Sequence, residues 1–364
     1  MSTFVLIHGA WHGAWCWRRV LPGLRAAGHE AHAVTLTGVG ERAHLLRRDL
    51  GLRDHVADVV GLVQAEELDD LVLVGHSYGG LVMTGAADAL LARGVRLRHL
   101  VYVDAVTPHP GEAWCSQHAP ETVAARLAAI ADSADGAMPP PDAAVFGLEG
   151  ADRDWVNRRQ TPQPGGVYRD ALDFDAARIA ALPRTFIDCT TPALATIAVM
   201  RERVRREPGW RVVEMATGHD PMVSAPEALV GLLLGCGAML DAPTRAQVRA
   251  TAPVLQQHGV ALTRHFYARM FQHNPELREI FNQGHQRSGT QQQALAMAVA
   301  AYAEHIDDPT VLMPVLERIA AKHVSLGIRR EHYAIVGRHL LASITEVLGE
   351  EAATPALMDA WAQA

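Results

Sequence analysis

The stretch that decides the fold is LVLVGHSYGG, residues 71–80. Four apolar, β-prone residues lead directly into a G-x-S-x-G pentapeptide, and the helix-permissive segment LVMTGAADALLARG follows. This order predicts a buried strand, a sharp turn that carries Ser77, and a helix whose N-terminus lies beside the serine hydroxyl. Glycines flank the serine because side chains would clash in so tight a turn. The stretch therefore predicts a nucleophilic serine at the end of a strand.

Short apolar strands and amphipathic helices alternate over residues 3–238. The strands are expected at residues 4–7, 31–36, 71–74, 100–103, 185–187 and 210–215. Between about residues 106 and 182 the pattern gives way to proline-rich sequence, which we interpret as a lid with substrate contacts around Trp114, Phe146 and Trp155. The fold class predicted for residues 1–237 is an α/β hydrolase, a mostly parallel sheet flanked by helices.

The bulk composition excludes several classes of protein. The chain has 364 residues, of which 49% are hydrophobic and 20% charged, as in globular proteins of one large or two smaller domains. A net charge of −7 offers no basic surface for nucleic acid or acidic membranes. The four cysteines are widely spaced, and neither a signal peptide nor a membrane-spanning run is recognisable. We expect a cytoplasmic protein without nucleic-acid or membrane partners.

A serine nucleophile needs a general base and two donors for the oxyanion. His219 follows the last predicted strand, and the order of serine before histidine fits this fold class. The first oxyanion donor is expected to be the backbone N–H of Tyr78, directly after Ser77. The second is expected from Ala10, at the end of the first strand. The predicted site thus combines Ser77, His219, Ala10 and Tyr78.

Four segments carry a family resemblance: FVLIHGAWHGAWCWRRVLPGLRAAGHEAHAVTLTGVGER, LVGHSYGG, VYVDA and TGHDPMVSAPEAL. They resemble the plant methyl-esterase and hydroxynitrile-lyase branch of the α/β-hydrolases, with its bacterial relatives, over about residues 2–235. The resemblance implies a carboxylesterase-like site that acts on a small-molecule ester and needs no cofactor. The lyases carry a lysine directly after the catalytic histidine, whereas this chain has Asp220. Cyanohydrin cleavage is therefore not expected.

The acid of the triad is left open by the sequence. The resemblance places it at about Thr191 or Pro192, and neither residue is acidic. Asp188 lies a little earlier, and Asp104 ends an earlier strand, where some hydrolases place their acid. Three alternatives remain: Asp188, Asp104, or a serine–histidine dyad without an acid.

From residue 239 onward the sequence predicts helices only, at residues 245–257, 260–271, 291–305, 310–323, 331–348 and 355–364. The segment MLDAPTRAQVRATAPVLQQHGVALTRHFYARMFQHNPELREIFN resembles the globin domain of bacterial flavohaemoglobins, and the match continues to residue 364. The resemblance implies an all-α, globin-like domain over residues 239–364 that binds haem b and, through it, oxygen or nitric oxide.

The resemblance also assigns a haem pocket. The matching positions are His323 as iron ligand, Phe281 stacked on the haem, Tyr267 and Gln291 as the distal pair with Leu295 one turn beyond, Tyr333 beside the proximal histidine, and Lys322, the only lysine, near a propionate. The family's final globin helix extends further, and its FAD and NAD(P)H domains have no counterpart in this sequence. We therefore expect a C-terminally truncated globin domain.

Three functions remain in competition. The first is a serine carboxylesterase with a haem-binding tail. The second is haem-dependent binding or dioxygenation of oxygen or nitric oxide, with an impaired hydrolase domain. The third is a non-catalytic ligand binder with the hydrolase fold, which only the missing acid favours.

Overall fold

The structure is a computed structural model that describes residues 2–237, 242–279, 289–306, 312, 319, 328, 330–349 and 351–364. The chain divides into two compact units, Met1–Met239 and Leu240–Ala364, and each is described here by itself.

A six-stranded parallel sheet forms the centre of the first unit. The strands in chain order are β1 (Thr3–Ile7), β2 (Glu30–Val34), β3 (Leu71–His76), β4 (Leu97–Val103), β5 (Ala137–Met138), β6 (Gln163–Pro164), β7 (Arg184–Cys189) and β8 (Trp210–Met215). The sheet order is β2-β1-β3-β4-β7-β8, so β3 lies inside the sheet and is buried along its whole length. The continuous apolar run ahead of the serine is typical of such a strand. The predicted α/β-hydrolase fold is confirmed.

The helices of the first unit are α1 (Leu21–Ala26), α2 (Leu52–Ala65), α3 (Gly79–Leu91), α4 (Pro120–Asp132), α5 (Gly150–Asn157), α6 (Ala176–Ala180), α7 (Ala198–Arg206), α8 (Pro221–Ser224) and α9 (Pro226–Gly237). After β1 the structure has a 3₁₀ segment, Ala14–Arg19, followed by α1. Pro22 explains why α1 begins as a separate helix. Proline lacks the N–H that the interior of a helix needs, but it fits the first turn of a helix.

Residues between β4 and β7 leave the main sheet. They form α4, α5, α6, short 3₁₀ turns and a small antiparallel pair of β5 with β6. Several aromatic side chains of this region are buried, including Trp114, Phe146 and Tyr168. This is the segment in which the strand-and-helix rhythm of the sequence breaks down, and we refer to it as the lid.

The second unit is helical throughout its described residues. Its helices are α10 (Ala242–Ala250), α11 (Ala252–His273), α12 (Thr290–Glu304), α13 (Arg330–Leu348) and α14 (Pro355–Gln363). α10 ends before Thr251, whereas the sequence placed the break near residue 258; Pro253 starts the new helix. α11 packs on α12, where Gly259 lies against Ala296. In the described parts of both units, no helix is long and apolar enough to cross a membrane.

Candidate active site

Ser77 occupies a strained turn between β3 and α3. Its φ is 53°, in the left-handed region that residues other than glycine rarely adopt. Within residues 71–80 it is the one residue that is not fully buried. A Cβ on Gly79 would lie 2.6 Å from the carbonyl oxygen of His8, so only glycine fits this close approach. The turn therefore presents the serine hydroxyl at the carboxyl edge of the sheet.

His219 connects Ser77 to a carboxylate. Its Nε2 lies 2.9 Å from the Ser77 Oγ, and its Nδ1 lies 2.7 Å from Oδ2 of Asp104. His219 and Asp104 are both buried. A carboxylate can only accept, so Nδ1 carries the proton and Nε2 is left to accept the serine hydroxyl. The three side chains form a continuous hydrogen-bond chain with the arrangement that a catalytic triad requires.

Asp104 follows β4 directly and reaches the histidine from a tight corner. Its φ is 43°, a left-handed value that aspartate tolerates better than most residues, and its N–H donates to the carbonyl of Ile187 at 2.8 Å. Arg201 donates from Nη2 to the second carboxylate oxygen of Asp104 at 2.7 Å. The carboxylate is thus held from both sides, by His219 and by Arg201.

Asp188 serves a different contact. It lies inside β7, where Oδ1 accepts from Nε of Arg201 and Oδ2 from Nη2 of Arg205, each at 2.5 Å. Thr191 follows this strand and donates its N–H to the carbonyl of Thr217. Because residues 191 and 192 are threonine and proline, the position at which the resemblance placed the acid has no carboxylate. Of the alternatives that the sequence left open, the structure brings Asp104 to the histidine and not Asp188.

The two predicted oxyanion donors adjoin the serine. Tyr78 follows it directly and caps α3. Ala10 follows Gly9, where an added Cβ would lie 2.8 Å from the Ser77 Cβ. Among the described residues, neither the Ala10 nor the Tyr78 amide N–H has an intramolecular acceptor. Two uncommitted amides beside a serine match what an oxyanion hole requires.

Aromatic side chains border the triad. The Phe146 ring lies 5.6 Å from the His219 ring, and the Trp114 ring lies 5.0 Å from the Tyr78 ring. Trp11 lies next to both, with its ring 6.4 Å from Phe146 and 5.8 Å from Trp114. The sequence predicted Trp114 and Phe146 as residues near the substrate but not Trp11. The position of Trp11 directly after Ala10, a predicted oxyanion donor, could have indicated that Trp11 lies at the site. Trp155, the third predicted lid contact, packs instead against Trp15.

A second buried polar cluster lies beside His219. Nε2 of His12 is 3.0 Å from Oδ2 of Asp220. Burial alone would lower the pKa of His12, but the Asp220 carboxylate outweighs it and the pKa is raised. Burial opposes ionisation of Asp220 as well, yet His12 lowers its pKa to about 2. The two groups therefore form an ion pair, completely buried.

His76 precedes the serine and belongs to the same cluster. Its Nε2–H donates to the carbonyl of His219 at 2.9 Å, and burial holds its pKa well below the ordinary value, so the ring is neutral. His76, His219 and Asp220 bring potential metal-ligand atoms within 4.8 Å of one another. However, Nε2 of His76 and both ring nitrogens of His219 are engaged in hydrogen bonds. The cluster thus links the loop that carries His219 to the end of β3.

Four of the residues predicted for a haem pocket lie in the described part of the second unit. Tyr267 is buried on α11, in an apolar cluster against which Leu295 of α12 also packs. Gln291 lies one turn before Leu295 and is half-buried, whereas Tyr333 is 52% exposed. The remaining predicted residues, Phe281, Lys322 and His323, lie outside the described part of the chain.

Comparison with known families agrees with this division. The model of the alpha/beta hydrolase family matches residues 4–232, and the globin model matches residues 264–364. The chain belongs to the alpha/beta hydrolase family. Its C-terminal part is a globin domain similar to those of flavohaemoproteins.

Individual relatives cover one part or the other. A carbendazim hydrolyzing esterase of Nocardioides sp. is 40% identical over 245 residues, which are 65% of this chain and 100% of the esterase. The flavohemoprotein of Bordetella parapertussis is 75% identical over 126 residues, 35% of this chain, and the chain spans only 31% of its length.

Among solved structures, an extracellular alpha/beta-hydrolase from a Paenibacillus species superposes with a TM-score of 0.58 at 21% identity. It covers 65% of this chain and 99% of its own, and it shows the fold alone. The first unit is thus a hydrolase with esterases among its relatives.

Proposed function

We propose that the protein is a serine carboxylesterase that hydrolyses a small ester through an acyl-enzyme on Ser77. The observation that carries this proposal is the unbroken chain of hydrogen bonds from Asp104 through His219 to the Ser77 hydroxyl. A non-catalytic ligand binder was favoured only by a missing acid, and Asp104 at 2.7 Å from the imidazole removes that reason.

In the first half-reaction, the Ser77 Oγ attacks the ester carbonyl while His219 Nε2 takes the hydroxyl proton. The carbonyl oxygen becomes negative and accepts hydrogen bonds from the N–H groups of Ala10 and Tyr78. When the tetrahedral intermediate collapses, the bond to the alcohol oxygen breaks, and His219 returns the proton to the departing alkoxide. The products of this step are the free alcohol and the acylated serine.

In the second half-reaction, a water molecule takes the place of the serine hydroxyl. His219 removes a proton from the water, whose oxygen attacks the acyl carbon, and the proton then passes to Ser77 Oγ as the acid leaves. Asp104 stays hydrogen-bonded to Nδ1 throughout, so that the imidazole keeps its orientation and its positive form is stabilised. Its other oxygen is held by Arg201, which fixes the carboxylate.

The walls of the site suggest the kind of ester. Phe146, Trp11 and Trp114 form a continuous aromatic border beside His219 and Tyr78, which favours a flat, apolar group on the substrate. Carbendazim, which the Nocardioides esterase is named for hydrolysing, is therefore a sensible first substrate to test.

The test compares Ser77→Ala with the wild type on p-nitrophenyl acetate and carbendazim. We expect turnover to be lost on both, and a fluorophosphonate probe to add its mass to the wild type but not to the variant. Ser133→Ala, which alters a lid serine at the end of α4, is the matched control and should keep full activity. Undiminished turnover by Ser77→Ala would refute the proposed mechanism.

A separate observation supports a second activity, haem binding by the C-terminal unit. Thr263 of α11 donates to the carbonyl of Gln292 on α12 at 2.8 Å, so the helices that carry Tyr267 and Gln291 face each other. A buried phenol and a half-buried amide on facing helices fit the distal side of a haem pocket. We propose that these residues, with His323, hold haem, which would supply an iron centre for oxygen or nitric oxide.

A further inference from the structure

The segment that follows β1 has an unusual backbone. Trp11 has a φ of 64°, a left-handed value that is uncommon for a bulky residue. Strain of this kind persists only where the surroundings fix it, and it concentrates at functional sites. The residue before Trp11 is Ala10, whose amide is the proposed oxyanion donor. Side-chain hydrogen bonds hold both peptide planes that flank Ala10.

The plane before Ala10 joins the Gly9 carbonyl to the Ala10 N–H. His8 donates from Nδ1 to the Gly9 carbonyl at 2.7 Å, and its Nε2 accepts the Leu36 N–H at 3.1 Å, which sets the tautomer. The carbonyl and N–H of a trans peptide point in opposite directions. Holding the carbonyl towards the interior therefore fixes the direction of the Ala10 N–H.

The plane after Ala10 joins the Ala10 carbonyl to the Trp11 N–H, and both of its groups are held. His12 Nδ1 lies 2.7 Å from the Ala10 carbonyl oxygen, and Oε1 of Gln163, in β6 of the lid, accepts the Trp11 N–H at 2.8 Å. His12 and Gln163 are both buried. Of the hydrogen-bonding groups in these two planes, only the Ala10 N–H is left without a partner among the described residues.

His12 is oriented to donate from Nδ1 to the Ala10 carbonyl because Asp220 holds the other ring nitrogen, Nε2. The carbonyl accepts from Nδ1–H, and the carboxylate accepts from Nε2–H at 3.0 Å. Asp220 follows His219 directly, and Oδ1 of Asp220 makes no hydrogen bond within the described residues. The His12–Asp220 pair thus ties the segment that carries the oxyanion amide to the segment that carries the base.

We propose that His12, oriented by Asp220, is a positioning residue: it holds the Ala10 carbonyl and, together with His8 on the preceding peptide plane, fixes the backbone at Ala10, whose N–H serves the oxyanion. It touches neither the substrate nor the reacting atoms, and it acts through the Ala10 peptide. This inference rests on the proposed acyl-enzyme mechanism. Since the amide interacts more strongly with the transition state than with the bound ester, loss of its orientation lowers kcat rather than raising KM.

The test uses three variants of the full chain. His12→Phe/Asp220→Asn keeps an aromatic ring at residue 12 and an isosteric amide at residue 220, and it removes the donor to the Ala10 carbonyl without leaving a buried carboxylate unpaired. Asp220→Asn alone keeps an amide that can bond to His12, and it serves as the conservative variant. His99→Gln changes another buried histidine, on β4, whose Nε2 bonds to Thr185 at 2.9 Å, and it controls for lost packing.

We expect the double variant to lose about 10- to 100-fold in kcat per titrated active site, with KM unchanged. Its affinity for a trifluoromethyl ketone, which forms a tetrahedral oxyanion on the serine, should fall by the same factor. Asp220→Asn should lose less on both measures, and His99→Gln should match the wild type on both.

Other results would overturn the inference. Wild-type kcat and ketone affinity in the double variant, or a rise in KM alone, would mean that His12 does not position the amide. An equal loss in His99→Gln would mean that the effect is one of general packing. Ser77→Ala measured alongside separates the two proposals: if it stays active, the mechanism itself fails, and if it is inactive, only the role of His12 is in question.

Discussion

Replacement of Asp104 by asparagine should hold the imidazole of His219 in the wrong tautomer. Asparagine tolerates the left-handed backbone at this corner, where φ is 43°, so the turn should survive the exchange. Arg201 offers only donors to the far side of residue 104, which draws the amide oxygen towards the guanidinium. The amide NH₂ then faces Nδ1 of His219 and forces that nitrogen to accept. The imidazole proton then lies on Nε2, and this nitrogen can no longer take the hydroxyl proton of Ser77.

An imidazole in the wrong tautomer lowers kcat by about 10⁴-fold. This corresponds to about 5.5 kcal/mol of lost transition-state stabilisation. KM should stay close to the wild-type value, because Asp104 lies behind His219 and does not contact the substrate.

The matched variant is Asp188→Asn. Asp188 is nearly fully buried but bonds to Arg201 and Arg205 instead of His219. Removal of its charge leaves two arginines partly uncompensated, so we expect a loss of about 3 kcal/mol in the free energy of unfolding. The kcat per active site should remain near that of the wild type.

The assay combines active-site titration, steady-state kinetics on p-nitrophenyl acetate and urea unfolding for both variants. We expect opposite results for the two variants: Asp104→Asn should lose turnover, and Asp188→Asn should lose stability. A variant Asp104→Asn that keeps most of its turnover, while Asp188→Asn loses it, would refute the assignment of the acid.

Three further predictions follow from other contacts. Gly9→Ala should abolish esterase activity, measured per folded protein, because its Cβ would lie 2.8 Å from the Cβ of Ser77; an active variant would contradict this close approach. His8 is buried, which lowers its pKa to about 3, whereas an unfolded histidine takes up a proton below about pH 6.5. Stability should therefore fall as the pH decreases from 6.5 towards 3, at about 1.4 kcal/mol per pH unit for this group. Urea unfolding should show the wild type losing about 3 kcal/mol more than His8→Asn between pH 7 and 4, and equal losses would contradict a neutral buried His8. In the second unit, Tyr267→Phe should leave the Soret band of the haem-reconstituted chain in place but speed the dissociation of oxygen; a chain that shows no Soret band after reconstitution would contradict haem binding.

The fold was predictable because its signals are local. The apolar run before Ser77, the glycines around it and the alternation of strand and helix patterns depend on neighbouring residues only. The order of Ser77 before His219 is similarly visible in the sequence. The sequence analysis placed the break between α10 and α11 too late in the chain. Gly259 lies inside α11, whereas Pro253, in the first turn, marks where that helix begins.

The acid could not be chosen from the sequence, since the decision depends on contacts far apart in the chain. Asp188 lies inside β7 and is engaged by Arg201 and Arg205 of α7, 13 and 17 residues further on. Asp104 reaches His219 across 115 residues. The anchoring of the Ala10 peptide by His12 and Gln163 depends on contacts over 2 and 152 residues, and only the first of these is local.

The adjacency of β4 and β7 determines where a carboxylate can stand within reach of His219. Val103 pairs with Ile187 in parallel register, so Asp104 and the residues just past Ile187 end at the same edge of the sheet. A carboxylate that changes strands between these two ends can serve the same imidazole without any change in the serine or the histidine. A motif search that fixes the position of the carboxylate will therefore overlook a chain like this one, in which the carboxylate beside His219 stands at the end of β4.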